Sequence, residues 1–350
     1  MSEAGMEHCP RWLRWSTGGL ALLASCAAPR STSVPSEASP PATSTAAVEA
    51  DPAVLEDPSD AELDREIRLH TLRLEHGDPT ERARAQLDLG DAYVRRASRV
   101  QQARFDLQAQ GDERRAEREH LEAELEAQRD QWLARAAAAY EAVVTSSPPG
   151  ARSLRTEARF GLADVRMQQG EAEAAREHLR ALLLEDPEHA LAGLALLHLG
   201  DDAFAAQRLD EARALYERAL RFDDLHTRSH ARYKLGWIAL DHDDGQEALV
   251  LWTQVVNESR HDPSLHALTD AAAKDCVLAY ARVGPPEAAG AFFSRLQPER
   301  SHHLLESLAR RYLDQGRPDA AAVVRGHAPG ASAPAGSTAA EPQPRLEPLR

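Results

Sequence analysis

Ala163, Gly200 and Gly236 are small residues spaced 37 and 36 positions apart, and the same pattern follows each of them. Twelve positions on stands an alanine (Ala175, Ala212, Ala248), and four further a bulky apolar residue (Leu179, Tyr216, Trp252). A leucine precedes each small residue, at 162, 199 and 235. The spacing predicts a repeated pair of helices. The small residue lets two helices approach closely, and the bulky one fills the space beside it. Such a pair cannot bury its apolar face alone, so several must stack side by side. A chain built this way is all-α.

Further units are in register with these three. Leu89-Gly90-x-x-Tyr93 matches a first helix, and Ala136, Tyr140 and Pro148 match a second. Cys276, Ala288 and Phe292 form another unit, followed by Leu308-Ala309, Tyr312, Gly316 and Ala321. The period and the small–alanine–bulky order resemble the tetratricopeptide repeat, whose unit is roughly 34 residues. The expected fold is a tetratricopeptide-type α-solenoid of about six helix pairs spanning 59–326.

Composition agrees with that reading. Aromatic residues are 5% of the chain, alanine is abundant and strong β-formers are sparse. Acidic residues outnumber basic ones 56 to 41, for a net charge of -15. That excess argues against a nucleic-acid partner and against direct attraction to anionic lipid headgroups.

The N-terminus reads as an export signal. Arg11 and Arg14 precede a short apolar run, Gly18 to Leu23, and then Leu23-Ala24-Ser25-Cys26. That tetrapeptide resembles the bacterial lipobox, which implies cleavage after residue 25 and lipid on Cys26. Met6 is an alternative start. Ala27 to Pro58 is rich in Pro, Ser, Thr and Ala, so 26–58 is expected to be a disordered tether. The same composition returns over 327–350, the expected disordered tail. Cys276 remains as the cysteine of the folded part, at a small-residue position where burial is expected.

Folded structure is expected from Ser59, which has capping-box spacing to Glu62, with Leu63, Ile67 and Leu74 as an apolar stripe and Gly77 as a stop. The first repeat then departs from the pattern. Tyr93 and Ala136 are 43 residues apart where the repeat expects nine, so a charged insertion occupies 94–131. Leu89, Tyr93, Val100 and Leu107 trace one helical stripe; Leu121, Leu125, Trp132 and Ala136 trace another, with Gln110-Gly111-Asp112 as the turn. Both helices of the pair are therefore expected to extend into an antiparallel hairpin, protruding ~25 Å at about 1.5 Å per residue. It is either a docking arm or a solvated charged hairpin.

No catalytic signature is present: no phosphate-binding glycine loop, no G-x-S-x-G, no H-E-x-x-H, no paired C-x-x-C. Asp241-His242-Asp243-Asp244-Gly245 opens like a calcium loop, but its twelfth position is Trp252 and not a bidentate glutamate. His226 with His230, and His302 with His303, lack matching carboxylates. No catalytic residue, metal site, cofactor or small-molecule substrate is expected. A metal-binding protein or enzyme is the alternative of a different class.

Likeness to the tetratricopeptide pattern implies a partner-binding concave face lined by first helices. Its positions here are Phe160, Asp164 and Met167; Leu194, Leu197, Asp201 and Phe204; His230, Tyr233, Trp237 and Asp241. That is an apolar groove with acidic points, suited to a peptide or helix carrying aliphatic and basic residues. Lys234 alone cannot build the lysine-rich clamp for C-terminal carboxylates that some such proteins use.

Three segments carry a narrower resemblance. They are Arg232-Tyr233-Lys234-Leu235-Gly236-Trp237, Ala272-Ala273-Lys274-Asp275, and Ala291-Phe292-Phe293 with Leu308-Ala309-x-x-Tyr312-x-Asp314-x-Gly316. With the insertion after Tyr93, they resemble a family of tetratricopeptide-repeat envelope lipoproteins from gliding bacteria, over Leu87 to about Val324. The resemblance implies a non-enzymatic component of the gliding-motility apparatus, lipid-anchored in the outer membrane, facing the periplasm and binding envelope proteins. An adaptor in outer-membrane protein assembly, or in cell-division and peptidoglycan coordination, is the alternative within the same class.

Overall fold

The computed structural model describes residues 59–109, 115–148 and 150–326. The expected signal peptide, Cys26, the tether, the Gln110-Gly111-Asp112 turn and the C-terminal tail lie outside the described residues. Among those described there are thirteen α-helices and no strand, the all-α repeat fold that the spacing predicts. No described helix is long and apolar enough to cross a membrane. The chain divides into two compact units, Met1–Ala195 and Leu196–Arg350.

The first unit opens with α1 (Asp60–His76), whose reciprocal capping box joins Ser59 and Glu62. A second box, Asp78 with Glu81, starts α2 (Pro79–Gln108), and Pro79 fills a first-turn position whose N–H has no helical partner anyway. α2 and α3 (Arg115–Ser146) form the first pair, and α4 (Arg152–Gln168) and α5 (Ala172–Glu185) the second. Leu87 and Val94 of α2, Leu133 and Tyr140 of α3 and Leu162 and Val165 of α4 share one core.

At 30 and 32 residues, α2 and α3 are twice the length of α5, at 14. They run antiparallel in one continuous register. Tyr140 donates to Asp91 at 2.7 Å, Arg129 to Gln101 at 3.0 Å and Gln108 to Glu122 at 3.2 Å, and Arg104 lies 3.4 Å from Glu126. The extended hairpin is present, but its seam differs from the expected one. Leu121 is 43% exposed, and the 3-4 spacing instead turns Arg118, Glu122, Leu125, Arg129 and Trp132 inward. Beyond Ala97 and Leu133 no described residue of the arm is buried.

The second unit contains most of α6 (Ala192–Ala205), then α7 (Leu209–Ala219), α8 (Leu225–Asp241), α9 (Gly245–Ser259), α10 (His266–Val283), α11 (Ala289–Leu296), α12 (Ser301–Asp314) and α13 (Pro318–Gly326). Trp252, Val255, Tyr280, Phe293, Leu308 and Tyr312 anchor its core.

Four turns inside the pairs share one geometry. The residue seven places after the small-residue position has positive φ: Gly170 (81°), Gln207 (60°), Asp243 (61°) and Gly316 (70°). The next N–H reaches back five residues, from Glu171 to Arg166, Arg208 to Ala203, Asp244 to Ala239 and Arg317 to Tyr312. These are Schellman closures, which satisfy carbonyls left open at a helix end.

Candidate partner-binding surface

The first helices are placed by the contact that the spacing predicts. A Cβ on Gly200 would meet the Tyr216 ring at 2.6 Å, and one on Gly236 would meet Trp252 Nε1 at 2.4 Å. Gly90 stands in the same relation to Tyr140, 2.4 Å away, despite the insertion between them. Tyr140 is also closed off on its other side by Gly161 of α4, at 2.6 Å, a contact that the repeat spacing does not signal.

Fixing the bulky ring fixes what its polar end can reach. The carboxylate after the glycine accepts the tyrosine hydroxyl in two pairs: Tyr140 donates to Asp91 at 2.7 Å, and Tyr216 to Asp201 at 2.6 Å. Asp91 was not among the expected groove residues, although Gly-Asp followed by a tyrosine four places after an alanine recurs in the sequence. Burial raises the Asp91 carboxyl, and burial together with Asp91 pushes the Tyr140 hydroxyl well up, so the proton stays on the tyrosine.

In the first unit, Phe160, Asp164 and Met167 lie half-buried along α4, and Leu194 is half-buried at the start of α6. Leu179 occupies the bulky position of this pair and has no hydroxyl to offer. Asp164 instead accepts from Gln168 at 2.9 Å, and burial raises its carboxyl to about 6.

In the second unit, Leu197 is buried and serves packing. Asp201 is exposed and takes Lys234 Nζ at 3.2 Å in addition to Tyr216. That ammonium also lies 5.5 Å from the centre of the half-buried Phe204 ring. His230 packs against His226 with its ring tilted, centroids 4.4 Å apart, and burial, His226 and Lys234 hold it down at about 4. It is neutral at pH 7. Tyr233 donates to Asp275 at 2.7 Å, while its carbonyl accepts Trp252 Nε1–H at 3.0 Å. Trp237 meets Trp252 edge-on at 5.3 Å. Burial raises Asp275 to about 6 against the opposing effects of Tyr233, Lys274 and Trp237. Asp241 is exposed at the end of α8. Tyr233 and Trp237 thus have one side on Trp252 and remain partly open on the other.

The remaining sequence candidates have structural positions. Asp244 caps α9 by accepting from Glu247 N–H at 2.8 Å, and Asp243 pairs with Arg282 at 2.9 Å. His302 and His303 are exposed with their rings edge-to-face. Among the described residues, no three His, Cys, Asp or Glu side chains are grouped to hold a metal ion. Cys276 is buried, and burial pushes its thiol up to about 12, so the nucleophilic thiolate is scarce at neutral pH.

The tetratricopeptide-repeat family model matches residues 120–190, 160–227 and 197–258. Residues 120–258 carry tetratricopeptide repeats. A comparison with curated proteins finds no match. The repeat geometry continues outside the matched residues, in Gly90, which packs on Tyr140 from before them, and in the Gly316 turn after them. Tetratricopeptide repeats generally mediate protein–protein interaction, and the half-open aromatic and carboxylate side chains of α4, α6 and α8 are the parts of this chain suited to it.

Proposed function

We propose that this protein is a non-enzymatic scaffold of the bacterial cell envelope, which gathers partner proteins along the first helices of its repeats. In this reading it is exported, carries lipid on Cys26 and is held at the outer membrane by the 26–58 tether, facing the periplasm. The segments that resemble gliding-bacteria lipoproteins favour a role in the motility apparatus.

The observation that carries the scaffold reading is the Tyr233–Trp237 pair. Both rings are fixed on one side by Trp252, and Tyr233 by Asp275, yet neither is fully buried. Rigid, partly open aromatic side chains are the usual anchors of protein interfaces. Asp275, which holds Tyr233, and Asp201, which holds Lys234, supply acidic points for a basic partner residue. The test is affinity purification from membranes of the intact chain and of a Tyr233→Ala/Trp237→Ala variant that retains its helical circular dichroism. Selective loss of specific envelope partners is expected; an identical partner set overturns the assignment.

A second reading is favoured by the arm. Phe105 and Leu121 are 52% and 43% exposed on a hairpin with no buried side chain among its described residues beyond Ala97 and Leu133. In that reading the hairpin, and not the repeat face, docks the partner.

A further inference from the structure

Charges on α1 are sorted by direction. Leu63, Ile67, His70 and Leu74 share its inward stripe, packed toward α2. The acids beside that stripe are taken up by α2: Asp60 pairs with Arg96 and Arg99 at 2.6 and 2.8 Å, Asp64 with Arg96 at 2.9 Å, and Glu66 with Arg95 at 2.6 Å. His70 joins them, 3.6 Å from Asp88 and 3.7 Å from Glu66.

At 100° per residue, the opposite arc holds Arg65, Arg68, Leu69, Leu72, Arg73 and His76. All six are exposed, Leu69 by 48% and Leu72 by 56%. Two acids accompany them: Glu62 projects between Leu69 and Arg73, with its carboxylate engaged by Ser59 in the capping box, and the exposed Glu75 borders the arc beside Arg68. A chain of net charge -15 therefore presents, on its first described helix, a face where three arginines around two leucines outnumber two glutamates.

We infer that this face of α1 docks on an anionic lipid surface. A helix lying on a bilayer needs apolar side chains to enter the headgroup boundary and cationic ones to meet the phosphates. Leu69 and Leu72, one turn apart, supply the first, and Arg65, Arg68 and Arg73 flank them to supply the second. Asp60, Asp64 and Glu66 are turned toward α2 and paired there, which leaves the arginines in excess over Glu62 and Glu75 on the outer face. The net acidity of the chain suggests the opposite behaviour, but the relevant charge is the local one, since repulsion from distant groups is screened beyond about 8 Å at physiological salt. For its setting the inference rests on the lipid-anchor reading: α1 directly follows the tether from Cys26, so it is the folded element held nearest the membrane. A single helix face of this size binds weakly by itself, and a tether would raise its effective concentration at the surface.

The test separates this contact from the anchor. The full chain carrying Cys26→Ser is sedimented with phosphatidylcholine vesicles and with vesicles containing added phosphatidylglycerol. Binding is expected to the anionic vesicles alone and to fall as salt rises. Arg65→Glu/Arg68→Glu/Arg73→Glu should weaken it on the order of a hundredfold, from about fivefold per arginine. Leu69→Ser/Leu72→Ser should weaken it about tenfold. These side chains are exposed, and circular dichroism should be unchanged. Equal sedimentation with both vesicle types, or indifference to the arginine reversal, overturns the inference. So does a concentration-dependent dimer of the Cys26→Ser chain that Leu69→Ser/Leu72→Ser dissociates, which assigns the face to a second copy. Acyl labelling of the wild-type chain reports on Cys26 separately, and its failure alongside intact vesicle binding removes the anchor and leaves the α1 contact standing.

Discussion

A Cβ atom at Gly236 would stand 2.4 Å from Nε1 of Trp252, inside any distance that two such atoms tolerate. Trp252 cannot retreat cheaply, because the same nitrogen donates to the Tyr233 carbonyl at 3.0 Å and the ring is fully buried. The α8–α9 pair is therefore closed by a fitted contact, and the tryptophan needs a glycine opposite.

Gly236→Leu should cost ~1–3 kcal/mol through overpacking, and Gly236→Ala should already be measurable. Gly200 against Tyr216 should behave alike. Neighbouring repeats share interfaces, so the loss should spread along the chain as broadened thermal and urea transitions. Unchanged melting of Gly236→Leu would mean that the two helices do not pack as described.

The four Schellman turns give a second expectation. Gln207 adopts the left-handed conformation that Gly170 and Gly316 adopt at the equivalent places. A side chain there costs roughly 1–2 kcal/mol in backbone strain. Gln207→Gly should raise stability by up to about 1 kcal/mol, after the entropy that glycine adds to the unfolded chain. Gly170→Ala should lower it, since nothing but the φ of 81° opposes the added methyl. Opposite signs for the two variants in chemical denaturation are the check.

The pH dependence around Tyr233 has a definite sign. Burial raises Asp275 from 3.8 to about 6. The folded chain thus binds more protons than the unfolded one between those values. Its contribution to stability is fully present below pH 3.8 and is lost as pH rises through 6. Asp275→Asn keeps an acceptor for Tyr233 and removes the charge. It should be more stable than wild type at pH 7, by at most ~3 kcal/mol, with the difference vanishing toward pH 4. His230, held at about 4 from 6.5, acts oppositely and loses stability as pH falls through that range. The difference between wild type and Asp275→Asn isolates the aspartate. A difference independent of pH would show that Asp275 is not desolvated.

What the sequence reveals here is what the packing forces. A close helix contact admits only a small residue at 200 or 236, so the period is written in residue type. The Ser59–Glu62 box is legible for the same reason, since few side chains can cap reciprocally. Gln207 and Asp243 were not legible as left-handed, because only glycine advertises that conformation. Leu121 misled, since hydrophobicity says nothing of direction on a helix whose seam also admits Glu122 and Arg129. The Tyr140–Asp91 bond is hidden by the insertion, which separates its partners by 49 residues. The sorting of charge on α1 was invisible to a net total.

The two candidate docking elements can be set against each other directly. Tyr233 and Trp237 are anchored aromatics, and truncating such residues at an interface often costs 2 kcal/mol or more, roughly thirtyfold in affinity. The arm offers half-buried charge pairs along its seam, such as Arg104–Glu126 and Arg118–Glu122, which contribute about 0–1 kcal/mol each, with the isolated apolar side chains Phe105 and Leu121. Gln101 and Arg129 form one rung of the arm, so replacing 101–129 by a short glycine turn removes everything beyond it without touching the buried core at Ala97 and Leu133. Tyr233→Ala/Trp237→Ala removes contacts to Trp252, so its fold must be verified by circular dichroism and melting. Tyr233→Phe, which loses only the bond to Asp275, serves as its control. Retention of native partners by the shortened arm, and their loss from the aromatic double variant, is the expected pull-down result. If the double variant is folded and holds its partners while the shortened arm releases them, the hairpin is the docking site and the first-helix face is not.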